Sequence, residues 1–186
     1  MQNPFVYGEI VPAGAFADRE EELDRLVEDL EAAQKVFLIS PRRYGKSSLM
    51  RQALDTLARR GHLVVELTVT AYSSYVAFLE GYARALAAVE TRRERARSWL
   101  LDVITSTRPE VRLEQDGTPA GRFTVAFPLV RTERDITRLA NELFALPARL
   151  ARDRKRQVVV ALDGQGVDAV VGMAIYTGQL PLDRPA

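Results

Sequence analysis

Apolar residues recur along the chain with two alternating periods, and the alternation predicts an order of elements. Leu23, Leu26, Val27 and Leu30 fall on one helical stripe, opened by Asp18 and Glu21 as a capping box. A short apolar strand follows at Val36-Phe37-Leu38-Ile39. The next helix runs from Lys46 to Arg60, with Leu49, Ala53, Leu54 and Leu57 on its buried side and Gly61 as its stop. His62 to Thr70 reads as a second strand, apolar enough in its first half to be buried on both faces. From Ser73 a long helix carries Val76, Leu79, Ala83, Leu86 and Ala87, and the pattern continues through a basic segment to about Leu101.

Between Glu110 and Phe127 the period changes to two. Val111 and Leu113 alternate, then Phe123, Val125 and Phe127, with Asp116-Gly117 between them, which predicts an inserted β-hairpin. A further helix carries Ile136, Leu139, Ala140, Leu143 and Phe144 and is broken or kinked at Pro147. Gln157-Val158-Val159-Val160-Ala161-Leu162-Asp163 is a buried strand ending in a carboxylate. Strands alternating with helices predict an α/β fold, a three-layer parallel sheet flanked by helices. Residues 1–17, rich in Gly and Pro, read as an arm lying on a single domain, and 164–186 as an atypical tail.

Composition narrows the chemistry. The chain has 186 residues, enough for one domain with a substantial core. Lys plus Arg number 26 against 25 for Asp plus Glu, so no overall positive field draws in nucleic acid. Cysteine is absent, which excludes disulfides, thiolate metal sites and a cysteine nucleophile. His62 is the single histidine, so neither a histidine metal cluster nor a Ser-His triad can be built; just after a turn, it is expected at the surface. Met1-Gln2-Asn3-Pro4 lacks the basic and apolar regions of a signal peptide, and no apolar run approaches the roughly 20 residues that span a bilayer. The expected location is the cytoplasm, with no membrane partner.

The run Ser40-Pro41-Arg42-Arg43-Tyr44-Gly45-Lys46-Ser47-Ser48 carries the candidate chemistry. It lies between the strand and the amphipathic helix, where a phosphate-binding loop must lie. Gly45 lets successive backbone N–H groups turn inward at phosphate oxygens. Lys46 would reach the β and γ phosphates, and the Ser47 hydroxyl would ligate Mg²⁺. The helix N-terminus adds about half a positive charge there. The pattern G-x-x-x-x-G-K-[ST] is met except at its first position, where Ser40 stands for Gly. Pro41 has no N–H to give, so the cradle falls to the amides of 43–48. The plainer reading is a Gly-Lys-Ser turn that only caps a helix. A β-branched strand ending in Asp163 favours the sharper one, because P-loop proteins present their Mg²⁺-holding acid in this way.

On these residues the chain resembles the prokaryotic, archaeal-type AAA+/STAND ATPases, distant relatives of the origin-recognition ATPases. The matching pieces are Asn3-Pro4-Phe5-Val6-Tyr7-Gly8, Phe16-Ala17-Asp18-Arg19-Glu20-Glu21-Glu22-Leu23, the stretch from Phe37 to Leu49, and Val158 to Asp163. Ser-Pro-Arg-Arg-Tyr-Gly-Lys followed by Ser or Thr is that family's form of the loop, which accounts for Ser40 and Pro41. The resemblance implies ATP and Mg²⁺ as ligands. The cofactor-binding residues would be Ser40, Arg43, Tyr44, Gly45, Lys46, Ser47 and Ser48, and the metal-binding residues Ser47 and Asp163. It also implies that the region from Phe16 to Glu20 lies near the adenine.

The chain departs from the family directly after the strand. Relatives continue Asp-Glu-Phe-Gln, whereas here the order is Asp163-Gly164-Gln165-Gly166. The glutamate that would orient the attacking water is missing, and losing a general base slows a reaction by about 10²- to 10⁴-fold. No residue is therefore assigned a catalytic role. The sensor, arginine finger and helical lid of the family are also missing, so the expectation is a C-terminally truncated member. In this fold class a further strand separates the loop strand from the Asp163 strand. Ala169 to Tyr176 is apolar enough to fill that slot.

Two functional readings stand side by side. One is ATP and Mg²⁺ binding, with hydrolysis implied by the resemblance and weakened here. The other is a non-catalytic adaptor for DNA or protein that keeps a relic nucleotide site. The basic clusters at Arg92–Arg97 and Arg149–Arg156 lack the interleaved aromatics of a single-strand platform and read as solvated helix faces. Arg42 and Arg43 either contact phosphate, or project to solvent or pair with an acid.

Overall fold

The computed structural model describes residues 19–40, 44–89, 98–102, 104, 108–114, 122–164 and 171–178. They form two compact units, Met1–Thr70 with Leu150–Ala186, and Ala71–Arg149. The protein is mixed α/β.

In the first unit, β1 (Val36–Ser40), α2 (Lys46–Arg59), β2 (Leu63–Thr68) and β5 (Val158–Asp163) fall where the periodicity puts them, preceded by α1 (Glu20–Glu31). The sheet has the order β1-β6-β5-β2, with β6 spanning Val171–Gly178. β2 and β5 are parallel, pairing Leu63 with Val158 through to Thr68 with Asp163. The segment proposed for the slot beside β1 occupies it, but antiparallel to both neighbours, so the sheet is mixed rather than parallel throughout. An apolar run carries no direction of its own, and either orientation completes a ladder.

α1 and α2 cover one face of this sheet. Leu26, Val27, Leu30, Leu49, Met50, Ala53, Leu54 and Leu57 pack with Val159 and Ala161, and Val36, Leu38 and Val64 join them from the same face. The period of two thereby puts Asp163 on the α1/α2 face, at the C-terminal end of its strand. β2 alternates between buried and half-buried positions rather than being buried on both faces. On β1 the opposite face is open, with Phe37 and Ile39 about two-thirds exposed at 64% and 66%.

Helix ends follow local chemistry. Arg19, not Asp18, is the N-cap of α1 and makes no side-chain cap bond; the three carboxylates Glu20, Glu21 and Glu22 offset the helix dipole instead. Asp18 lies outside the described residues. Gly61, at φ +95, stops α2 as expected, with its N–H bonded to Ala58 O and that of His62 to Leu57 O. The same motif ends α1 with Ala33 in the left-handed position, at φ 58.

At this end of the sheet the polar groups close on one another. Glu31 Oε2 receives Arg60 Nη1 at 2.8 Å, and its Oε1 lies 3.5 Å from His62 Nε2. His62 is therefore half-buried beside a carboxylate, not a free surface side chain, because the α1 terminus folds over the start of β2. Gln157 donates to Leu30 O at 2.8 Å, and Arg156 donates to Gly61 O.

The second unit contains α3 (Tyr75–Ala88), the hairpin β3 (Glu110–Glu114) and β4 (Arg122–Ala126), and α4 (Glu133–Phe144). Ser74 caps α3 by accepting from Ala77 N–H. α3 ends at Ala88, with Val89 as its C-cap, and residues 98–102 are helical again. Residues 90–97, with the first basic cluster, lie outside the described residues, as does the hairpin turn at Asp116-Gly117. β3 and β4 pair antiparallel from Glu110–Ala126 to Glu114–Arg122, as the change of period predicts. Phe78, Leu79, Tyr82, Leu86, Val125, Phe127, Leu139 and Leu143 are buried, and Trp99 is half-buried. Gly81 is required by packing: a Cβ there would lie 2.2 Å from the Tyr72 ring. A capping box of Thr132 and Asp135 opens α4. The chain breaks at Ala145 and resumes as α5 (Leu146–Arg154), with Pro147 in the first turn, where no N–H is needed.

Candidate phosphate-binding site

The site is built where β1 hands the chain to α2. Ser40 ends β1, opposite Val171. Pro41, Arg42 and Arg43 lie outside the described residues. Tyr44 is exposed, at 67%. Gly45 follows at φ +66, the left-handed region that glycine enters without a Cβ penalty, and serves as the N-cap of α2. Its carbonyl accepts from Leu49 N–H at 2.9 Å, which places the first turn of the helix immediately behind the loop.

Lys46 and Ser47, the first two residues of α2, are half-buried, and Ser48 is buried. The first turn carries no acid that would cancel its positive end. Ser47 Oγ donates to Asp163 Oδ2 at 3.2 Å, joining side chains that stand 116 residues apart. Asp163 is 3% exposed. The arrangement offers a hydroxyl and a carboxylate side by side, with an ammonium one residue before the hydroxyl. Among the described residues no group of three or more His, Cys, Asp and Glu is placed to hold a metal by itself.

Two neighbours were not legible as site residues. Glu66 on β2 pairs with Arg51 of α2, Nη2 to Oε2 3.1 Å. Burial pushes its carboxyl above the usual range, the Arg51 charge opposes this, and the charges of Asp163 and Asp55 add to it. No motif marks Glu66; only the register of β2 beside β5 brings it near Asp163.

The other neighbour is Arg19. Its Nη1 donates to Tyr44 O at 2.7 Å, its Nε donates to Glu22 Oε2 at 2.9 Å, and its Nη2 holds the same carboxylate oxygen. The spacing of Arg19 and Glu22 signals a helical ion pair, but nothing in the sequence signals the contact with the loop. Beside them opens a cavity of about 570 Å³, lined among the described residues by Arg19, Glu20, Glu21 and Glu22.

Among the described residues no helix is long and apolar enough to cross a membrane. Comparison of the chain with protein-family models, curated proteins and solved structures finds no match.

Proposed function

We propose that this chain is a P-loop domain of the AAA+/STAND kind that binds ATP together with Mg²⁺. The observation that carries this reading is the Ser47–Asp163 hydrogen bond at 3.2 Å. A helix-capping Gly-Lys-Ser turn alone has no need of a buried carboxylate from a distant strand. A Mg²⁺ site does, because the ion takes a few protein oxygens and completes its shell with phosphate oxygens and water. The donor set therefore fits: Ser47 and Asp163 would hold the ion, and the ion would supply charge neutralisation between the phosphates.

Lys46 sits at the helix terminus, where a cation and the aligned N–H groups act together on a polyphosphate. Of the amides of 43–48 that would cradle the phosphates, those of 44–48 are described. Turnover is slow in this reading, because Gly164 stands where a water-orienting glutamate is expected. The domain therefore holds nucleotide more readily than it consumes it.

Calorimetric titration of the full chain with ATP, with and without Mg²⁺, tests the proposal. Binding that strengthens with Mg²⁺ and weakens roughly 10- to 100-fold in Lys46→Ala supports it, the scale of one charged hydrogen-bonding partner lost. Absence of binding at millimolar ATP overturns it. A salt-dependent DNA shift indifferent to Lys46→Ala would favour the adaptor reading instead.

A further inference from the structure

The geometry points to Arg19 as a positioning residue that sets the phosphate-binding loop from outside. This inference rests on the nucleotide reading above. A peptide unit is planar, and in the trans form its C=O and N–H point in opposite directions. The bond between Tyr44 and Gly45 is trans. Arg19 Nη1 grips the Tyr44 carbonyl at 2.7 Å, so the Gly45 N–H is turned away from Arg19. The next carbonyl, that of Gly45, is committed to Leu49 N–H, which aims the Lys46 N–H outward from the N-terminal end of α2. Two successive donors are thereby oriented before any ligand arrives, one by the helix and one by Arg19.

The grip is specific to arginine. Glu22 holds Nε and Nη2, which fixes the guanidinium plane and leaves Nη1 directed at the loop. Such a brace is needed because glycine at φ +66 has no side chain to restrict its peptide planes. A Cβ at residue 45 would lie 3.5 Å from Arg19 Nη1, so the guanidinium backs directly onto the turn. Lysine, with a single compact ammonium, cannot hold Glu22 and the carbonyl in one plane.

The test is equilibrium binding of ATP, ADP, AMP and adenosine to the wild-type chain and to Arg19→Ala, Arg19→Lys and Glu22→Gln. Circular dichroism melts accompany each variant. Arg19→Ala and Arg19→Lys are expected to weaken ATP and ADP alike by about tenfold while sparing adenosine, the loss of one well-aimed donor to phosphate. Glu22→Gln is expected to do the same at about threefold, since the guanidinium keeps a weaker partner. In amide spectra, the Gly45 resonance should shift on ADP addition in the wild type and stay put in Arg19→Ala. An equal loss for adenosine would mean that Arg19 touches the nucleoside, and a loss confined to ATP would mean that it touches the γ phosphate. Either outcome overturns the positioning role. Unchanged ADP affinity in Arg19→Ala, with Lys46→Ala impaired, overturns it while leaving the nucleotide site intact. No binding by the wild type removes both.

Discussion

The two ends of the sheet in the first unit use polar residues in opposite ways. At the N-terminal ends of β2 and β5, Glu31, Arg60, His62, Arg156 and Gln157 close on each other and on the exposed carbonyls of helix ends. At the C-terminal end of β5, Asp163 meets the first turn of α2, and Arg19 holds the loop from behind. The first end completes the hydrogen bonding of the fold. The second gathers a carboxylate, a hydroxyl, an ammonium and a helix N-terminus, groups whose shared complement is a polyphosphate with its cation. Polar residues at one end are expected to govern stability, and those at the other ligand affinity.

The sharpest way to break the comparison is to change each end and read both properties. Asp163→Asn keeps the shape of the side chain but removes its charge. It should abolish the strengthening of ATP binding by Mg²⁺, as read by titration with and without the ion, and leave the melting temperature within a few degrees. Gln157→Ala should do the reverse. It removes the donor to Leu30 O and should destabilise the fold by about 1–2 kcal/mol in urea titration, with ATP affinity unchanged. A Gln157→Ala variant that loses ATP affinity while remaining folded would erase the distinction between the ends.

How much of each end was legible in the sequence differs for a physical reason. The apolar run closing on Asp163, the Gly-Lys-Ser turn and the Gly61 stop are local patterns, and each element forms where they lie. The hairpin from Glu110 to Phe127 was equally plain, since a period of two permits little else. What sequence could not supply was direction and partnership. Ala169 to Tyr176 read as a strand for the slot beside β1, yet its apolar residues fit that slot in either direction, and β6 runs antiparallel. His62 looked like a surface residue because its partner, Glu31, lies on another helix. Arg19 and Glu66 join the candidate site only through tertiary contacts, with no spacing rule to announce them.

The two ends also make opposite demands on acid. Hydrogen bonding from Arg60 is the largest influence on Glu31 and holds its carboxyl below the ordinary value of 4.5. Unfolded chains bind this proton more readily, so the stability that Glu31 supplies is present above 4.5 and is lost as pH falls through its folded value. Glu66 is raised above 4.5, chiefly by burial. Its contribution is present below 4.5 and is lost as pH rises through its folded value. In urea titrations across about pH 3 to 7, the span around ordinary carboxylates, Glu31→Gln should flatten the acid limb and Glu66→Gln the limb above it. The exposed side of the Glu31 pair limits its effect to about 1 kcal/mol or less. Asp163→Asn should lower the Glu66 value, because it removes one of the charges that raise it, and leave Glu31 alone.

The smallest expected effect contrasts two of the left-handed residues that border these ends, one at each. Gly45 at φ +66 enters α2 on the side of the candidate site, and Ala33 at φ 58 leaves α1 on the closed side. Glycine suits this backbone region and alanine does not, so Ala33→Gly relieves strain while adding freedom to the unfolded chain. The net gain should be a few tenths to about 1 kcal/mol in urea titration, with no change in ATP affinity. Gly45→Ala meets only ordinary contact with Arg19 at 3.5 Å, so its loss is one of backbone strain and not of space. It should destabilise by about 1 kcal/mol and, unlike Ala33→Gly, also weaken ATP binding, because the strained peptide planes are those that aim the donors. If both substitutions changed stability alone, the turn before α2 would be a helix start like any other. A loss of affinity confined to Gly45→Ala would tie that turn to phosphate.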